Sequence, residues 1–92
     1  MALELLCSNE IMKGNKIILP RVANMYKMNF SKNKIDFYYS NPEKNSLELN
    51  TWKIPLNARE IEFDAKTDRI GGFIVIPRFY DVNGNLLKIG NR

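Results

Sequence analysis

The segment Ile70-Gly71-Gly72-Phe73-Ile74-Val75-Ile76-Pro77-Arg78-Phe79-Tyr80-Asp81-Val82-Asn83-Gly84-Asn85-Leu86-Leu87-Lys88-Ile89 decides the fold. A long apolar run and a shorter one flank Asn83-Gly84, the pair that most strongly signals a two-residue type I′ hairpin turn, because both central residues must take positive φ. Apolar residues occupy both parities through Ile76, as in a strand covered on both faces. Pro77 cannot donate to a ladder, so the strand is expected to bend, bulge or reach an edge there. The Gly71-Gly72 pair reads as a tight turn or bulge entering the strand.

Upstream, Lys34-Ile35-Asp36-Phe37-Tyr38-Tyr39-Ser40 alternates, with Ile35, Phe37 and Tyr39 on one face. Asn41–Asn45 is a turn by composition. Ser46–Ile54 is a further strand whose apolar parity slips near Asn50-Thr51, which a β-bulge explains; the two strands are expected to form a second hairpin. Ala58–Asp64 alternates with Ile61 and Phe63 inward, with a short helix capped by Asn57 as the alternative, and Lys66-Thr67-Asp68 is read as the turn that follows. Lys16–Leu19 is a short strand. Beyond Pro20, Tyr26, Met28 and Phe30 alternate as in a strand, while Val22, Met25, Tyr26 and Met28 also suit a short helix over 20–28. The expected architecture is therefore a mostly β, single-domain antiparallel β-barrel or rolled sheet of six or seven short strands spanning residues 1–92.

Composition narrows the chemistry. The 92 residues contain no histidine and one cysteine, which removes Ser-His-Asp triads, Cys-His dyads and ordinary zinc sites. No enzymatic activity, cofactor or metal is expected. Asp64-Ala65-Lys66 shares residue types with nucleases that set an acid and a lysine around magnesium, but the triplet is common by chance. Asp81–Asn85 fails as a calcium loop, because its glycine falls too early and no glutamate follows. Cys7, beside Leu5 and Leu6, reads as a small buried hydrophobe. A lone cysteine forms no internal disulfide, and Met1–Cys7 lacks a basic leader, so a cytoplasmic protein is expected. No apolar run reaches the roughly 20 residues that span a bilayer.

The net charge of +4 conceals an asymmetry. Residues 11–35 carry Lys13, Lys16, Arg21, Lys27, Lys32 and Lys34 and no acid, whereas Glu48, Glu60, Glu62, Asp64 and Asp68 lie within residues 48–68. The twelve asparagines, with abundant Lys and Ile, have AT-rich codons, so genome composition contributes to the basic balance and fits a phage or mobile-element origin.

Two functions remain. Tryptophan, tyrosine and arginine anchor protein interfaces, which makes Trp52, Tyr38, Arg78 and Tyr80 the candidates in a non-catalytic adaptor, inhibitor or accessory protein. The alternative partner is RNA or single-stranded DNA, held by the six bases of 13–34 with Tyr26, Phe30 and Tyr38 stacking on bases. Arg69–Ile76 resembles the central strand of an RNA-recognition motif at its basic, second-glycine and Phe73 positions. It lacks the aromatics where Gly71 and Ile76 stand, which argues against that family.

Overall fold

In a computed structural model of the chain, residues 3–11, 16–29, 32–40, 51–67, 70–71 and 73–90 are described. They form eight strands and no helix: β1 Leu3–Glu10, β2 Lys16–Ile18, β3 Met25–Asn29, β4 Lys34–Ser40, β5 Thr51–Lys53, β6 Glu60–Thr67, β7 Phe73–Tyr80 and β8 Leu86–Ile89. Two antiparallel four-stranded sheets result, ordered β1-β4-β3-β5 and β2-β6-β7-β8. The sheets do not close into a barrel, and β1, the strand absent from the sequence reading, brings the count to eight.

The two sheets meet through one apolar cluster. Tyr26, Met28, Ile35 and Phe37 enter it from the first sheet, Ile61, Phe63 and Phe79 from the second, and Leu19 follows β2. Tyr26 is fully enclosed, its ring centroid 5.5 Å from Trp52, 6.2 Å from Phe63 and 6.1 Å from Phe79. Residues that alternate with these along each strand face away from the cluster.

Of the two readings of the stretch 20–28, the alternating strand forms and the helix does not: a turn, with the Ala23 N–H donating to the Pro20 carbonyl, leads into β3. Enclosure of Tyr26 and Met28 at period two outweighs the helical spacing of Val22 and Met25. The expected pairing of β4 with the following strand does not occur. Both edges of β4 are taken, by β1 and β3, and β5 pairs with β3 in the register Tyr26↔Trp52. The expected turn at 41–45 and strand at 46–50 lie outside the described residues.

Asn24 accounts for part of that arrangement. Its side chain donates to the Ser40 carbonyl (2.9 Å) and accepts from the Ser40 N–H (2.7 Å), and its own carbonyl accepts from Ile54. Asn57 caps no helix. It takes φ 70° in the turn whose Ala58 N–H donates to Pro55, a conformation asparagine tolerates. Tyr39, expected inward, is exposed at the end of β4. Lys66 and Thr67 continue β6 opposite Ile74 and Phe73 rather than turning. Ile70 is 94% exposed in the connection, Gly71 takes φ 83°, and β7 begins at Phe73.

Pro77 sits in a central strand yet interrupts little. The Gly90 N–H donates to the Pro77 carbonyl at 2.8 Å, which turns the proline nitrogen toward β8 just past its end at Ile89. The ladder to β6 therefore continues through Phe63↔Pro77.

The Asn83-Gly84 turn is also a different one. Only Asn33 and Asn57 among the described non-glycine residues have positive φ, whereas Gly84 has φ 81°. The Gly84 N–H donates to the Asp81 carbonyl (3.0 Å) and the Asp81 N–H to the Asn85 carbonyl (2.9 Å). This is a three-residue loop with a left-handed glycine at its third position, not type I′. Asp81 is the reason it is preferred: its Oδ1 accepts from the N–H groups of Asn83 and Asn85, both at 2.9 Å. Those donors, Asn85 foremost, hold the Asp81 carboxyl below its usual range.

A Cβ at Gly84 would meet no atom within 4 Å, so the penalty for replacing it is torsional. Gly84→Val is expected to lose about 1–3 kcal/mol. Gly84→Asn should lose less, since asparagine visits this region. Equal melting temperatures for wild type and Gly84→Val would contradict the left-handed assignment.

Candidate functional site

The outward face of the second sheet carries most of the organised polar chemistry. Register places Lys16, Glu62 and Arg78 in one row and Ile18, Glu60 and Tyr80 in the next. Long side chains on such a face also reach diagonal neighbours, roughly 7–8 Å away between backbones, and both key contacts are diagonal. The Tyr80 hydroxyl donates to Glu62 Oε1 at 2.8 Å, and Arg78 Nη2 contacts Asp64 Oδ2 at 3.1 Å. The Lys16 ammonium lies 4.1 Å from the Tyr80 ring centroid, in cation–π range. Arg78 Nε is buried without a hydrogen-bond partner among the described residues.

These contacts occupy the groups they join. Asp64 is paired with Arg78, and the side chain of Lys66 is not among those described, so the acid–lysine pair has no described geometry. Among the described residues no three His, Cys, Asp or Glu side chains converge on a point that could hold a metal ion. Glu62 raises the Tyr80 phenol above its usual pKa, first by accepting its hydrogen bond, with desolvation and the carboxylate charge adding to it. Cys7 lies opposite Phe37 against the core, and burial first and the Asp36 charge second push its thiol up, away from the reactive thiolate.

The four interface candidates separate. Arg78 and Tyr80 share the network just described. Trp52 is half-buried and packs on Tyr26, so much of its ring already serves the core. Tyr38 is half-buried on the first sheet, between Leu5 and Met25 in register.

The basic candidates separate further. Lys27 and Lys34 alternate with enclosed Tyr26, Met28 and Ile35, so they project from the outer face of the first sheet, and Lys32 is in the adjoining turn. Lys16 projects from the outer face of the second sheet, and Arg21 is in the turn after β2. The charges therefore lie on opposite sides of the two-layer fold. Tyr26 is enclosed and offers no stacking face; Lys13 and Phe30 lie outside the described residues.

The feature that the sequence reading missed lies at one end of the second sheet. The Leu19 N–H donates to the Arg59 carbonyl (2.9 Å) and the Arg59 N–H to the Tyr80 carbonyl (2.8 Å). These bonds tie together the points where three turns leave the sheet: 20–23, 55–58 and 81–85. Ile18 is 77%, Leu56 89% and Val82 77% exposed there, and Val22 is exposed as well. Ile18, Leu19, Arg21, Arg59, Glu60 and Val82 line an open groove of about 420 Å³. Val22, Leu56 and Val82 are single aliphatics within turns and Ile18 ends the short run Ile17-Ile18-Leu19, so no periodicity joins them.

Scans of protein-family models, curated proteins and solved structures return no match to the chain.

The polar network has a titration signature. A folded-state pKa above the unfolded value means that the Tyr80–Glu62 contribution to stability is complete below the ordinary phenol range and is lost as pH rises through the raised value. In an ultraviolet titration of phenolates, Glu62→Gln should move one phenol to lower pH, and that transition should vanish in Tyr80→Phe. An unchanged titration in Glu62→Gln would remove Glu62 as the cause.

Proposed function

We propose that this chain is a non-catalytic protein-binding domain, an adaptor, inhibitor or accessory protein that docks a partner at the turn end of its second sheet. The observation that carries this reading is that exposed Ile18 and Val82 line one open groove, with exposed Val22 and Leu56 in turns that backbone hydrogen bonds join to that end of the sheet. Single exposed aliphatics are ordinary on protein surfaces, but several on one end, rimmed by charged side chains, are a common form of interaction surface. The Arg78–Tyr80 network adjoins it on the same face and would form its polar rim. With one cysteine and no disulfide to form, a reducing cytoplasm suits the protein. Short, asparagine-rich, motif-free chains of this kind also suit a phage or mobile-element source.

Nucleic acid is the weaker alternative, because the bases that would track phosphates lie on opposite faces and, of the stacking candidates, Tyr26 is enclosed and Tyr38, on the outer face that carries Lys27 and Lys34, is half-buried.

Affinity capture from nuclease-treated extract distinguishes the two. Wild type should retain a protein partner after nuclease treatment and at raised salt, and Ile18→Asp/Val82→Asp should lose it. Lys27→Glu/Lys32→Glu/Lys34→Glu should keep it. Capture that nuclease or salt abolishes, and that the lysine reversals eliminate while the aspartate variant does not, would overturn the reading in favour of phosphate contacts.

A further inference from the structure

Resting on that reading, we infer that the groove at the turn end takes an acidic, aliphatic-containing peptide segment of another protein: a carboxylate set beside a Leu, Ile or Val side chain. Two guanidinium groups, Arg21 and Arg59, line it. Neither makes an ion pair among the described residues, whereas Arg78 on the same sheet is matched by Asp64. Glu60 is the single acid of the lining, so the groove keeps an excess positive charge. A guanidinium fork matches a carboxylate in bidentate geometry, which gives the charge a preferred ligand shape.

The rest of the lining selects among anions. Ile18 and Val82 form exposed aliphatic walls over buried Leu19, and an aliphatic side chain placed between them removes apolar surface from water on both sides. None of the six lining residues is aromatic, and the Lys16 ammonium already sits over the ring of neighbouring Tyr80, so a nucleotide would find phosphate contacts but no stacking surface within the groove. A second copy of this chain is disfavoured by charge: the net charge is +4, and apposing two such ends brings four arginines together. An extended segment puts residues i and i+2 on one side, so a carboxylate and an aliphatic side chain two positions apart can enter together.

The test is selection of random peptides displayed on phage against the full chain, with a single-stranded DNA oligonucleotide as the counter-probe. Wild type should enrich peptides bearing Asp or Glu next to, or two positions from, Leu, Ile or Val. A synthetic peptide of the enriched sequence should lose about tenfold or more in affinity to Arg21→Gln/Arg59→Gln. Arg21→Glu/Arg59→Glu should enrich Lys- or Arg-bearing peptides instead. All four substitutions are at exposed positions, so melting temperatures should stay close to wild type and report folding independently. Enriched peptides without acids, or affinities that ignore both arginine variants, would overturn the groove assignment while leaving protein binding intact. Failure to enrich any peptide, with salt-sensitive binding of the oligonucleotide, would overturn both.

Discussion

The enclosure of Tyr26 is the constraint on which the remaining structure depends. Its ring touches Trp52 within its own sheet and Phe63 and Phe79 across the interface, so one side chain joins β3, β5, β6 and β7. Tilted and edge-on aromatic pairs of this kind add about 0.5–1.5 kcal/mol each beyond the area they bury. A chain this short has little other apolar material to hold two layers together. Ile35 and Phe37 on β4 and Ile61 on β6 complete the cluster.

Committing the aromatics inward determines what the surface can do. Tyr26 is enclosed and Trp52 largely used, so the turn end of the second sheet presents aliphatic side chains and arginines. On the outer face, Glu62 and Asp64 each accept from the residue two positions beyond their register partner on the neighbouring strand, Tyr80 and Arg78. Exposed pairs of this type contribute little to stability, about 0–1 kcal/mol. Their main effect is to fix orientation, leaving Arg21 and Arg59 in the groove with no ion pair among the described residues.

Much of the fold was legible because period two survives wherever one sheet face is buried. β4 is bounded at Lys34 and Ser40 as the alternation indicates, and Ile61 and Phe63 point inward. Pairing was harder to read. The sequence neighbours β4 and β5 are separated in the sheet by β3, a long-range arrangement held by Asn24, whose side chain imitates a strand neighbour to Ser40. β1 escaped notice because the extra residue Leu6 shifts its register between Leu5 and Cys7 and breaks the alternation. At the Asn83-Gly84 turn the glycine was correctly placed at positive φ, but the carboxylate of Asp81 draws in the backbone of Asn83 and Asn85 and selects a longer loop. The groove was invisible because it gathers residues from the end of β2, the start of β6 and the turns at 20–23 and 81–85, which are far apart in sequence and joined by backbone hydrogen bonds.

If both sheets share one core built on Tyr26, they cannot unfold separately. Thermal unfolding followed at once by near-ultraviolet circular dichroism, which senses the packed aromatics, and far-ultraviolet circular dichroism, which senses the strands, tests this most directly. Coincident transitions with a single midpoint are the predicted result. Loss of the aromatic signal at a temperature where the strand signal persists would contradict a common core.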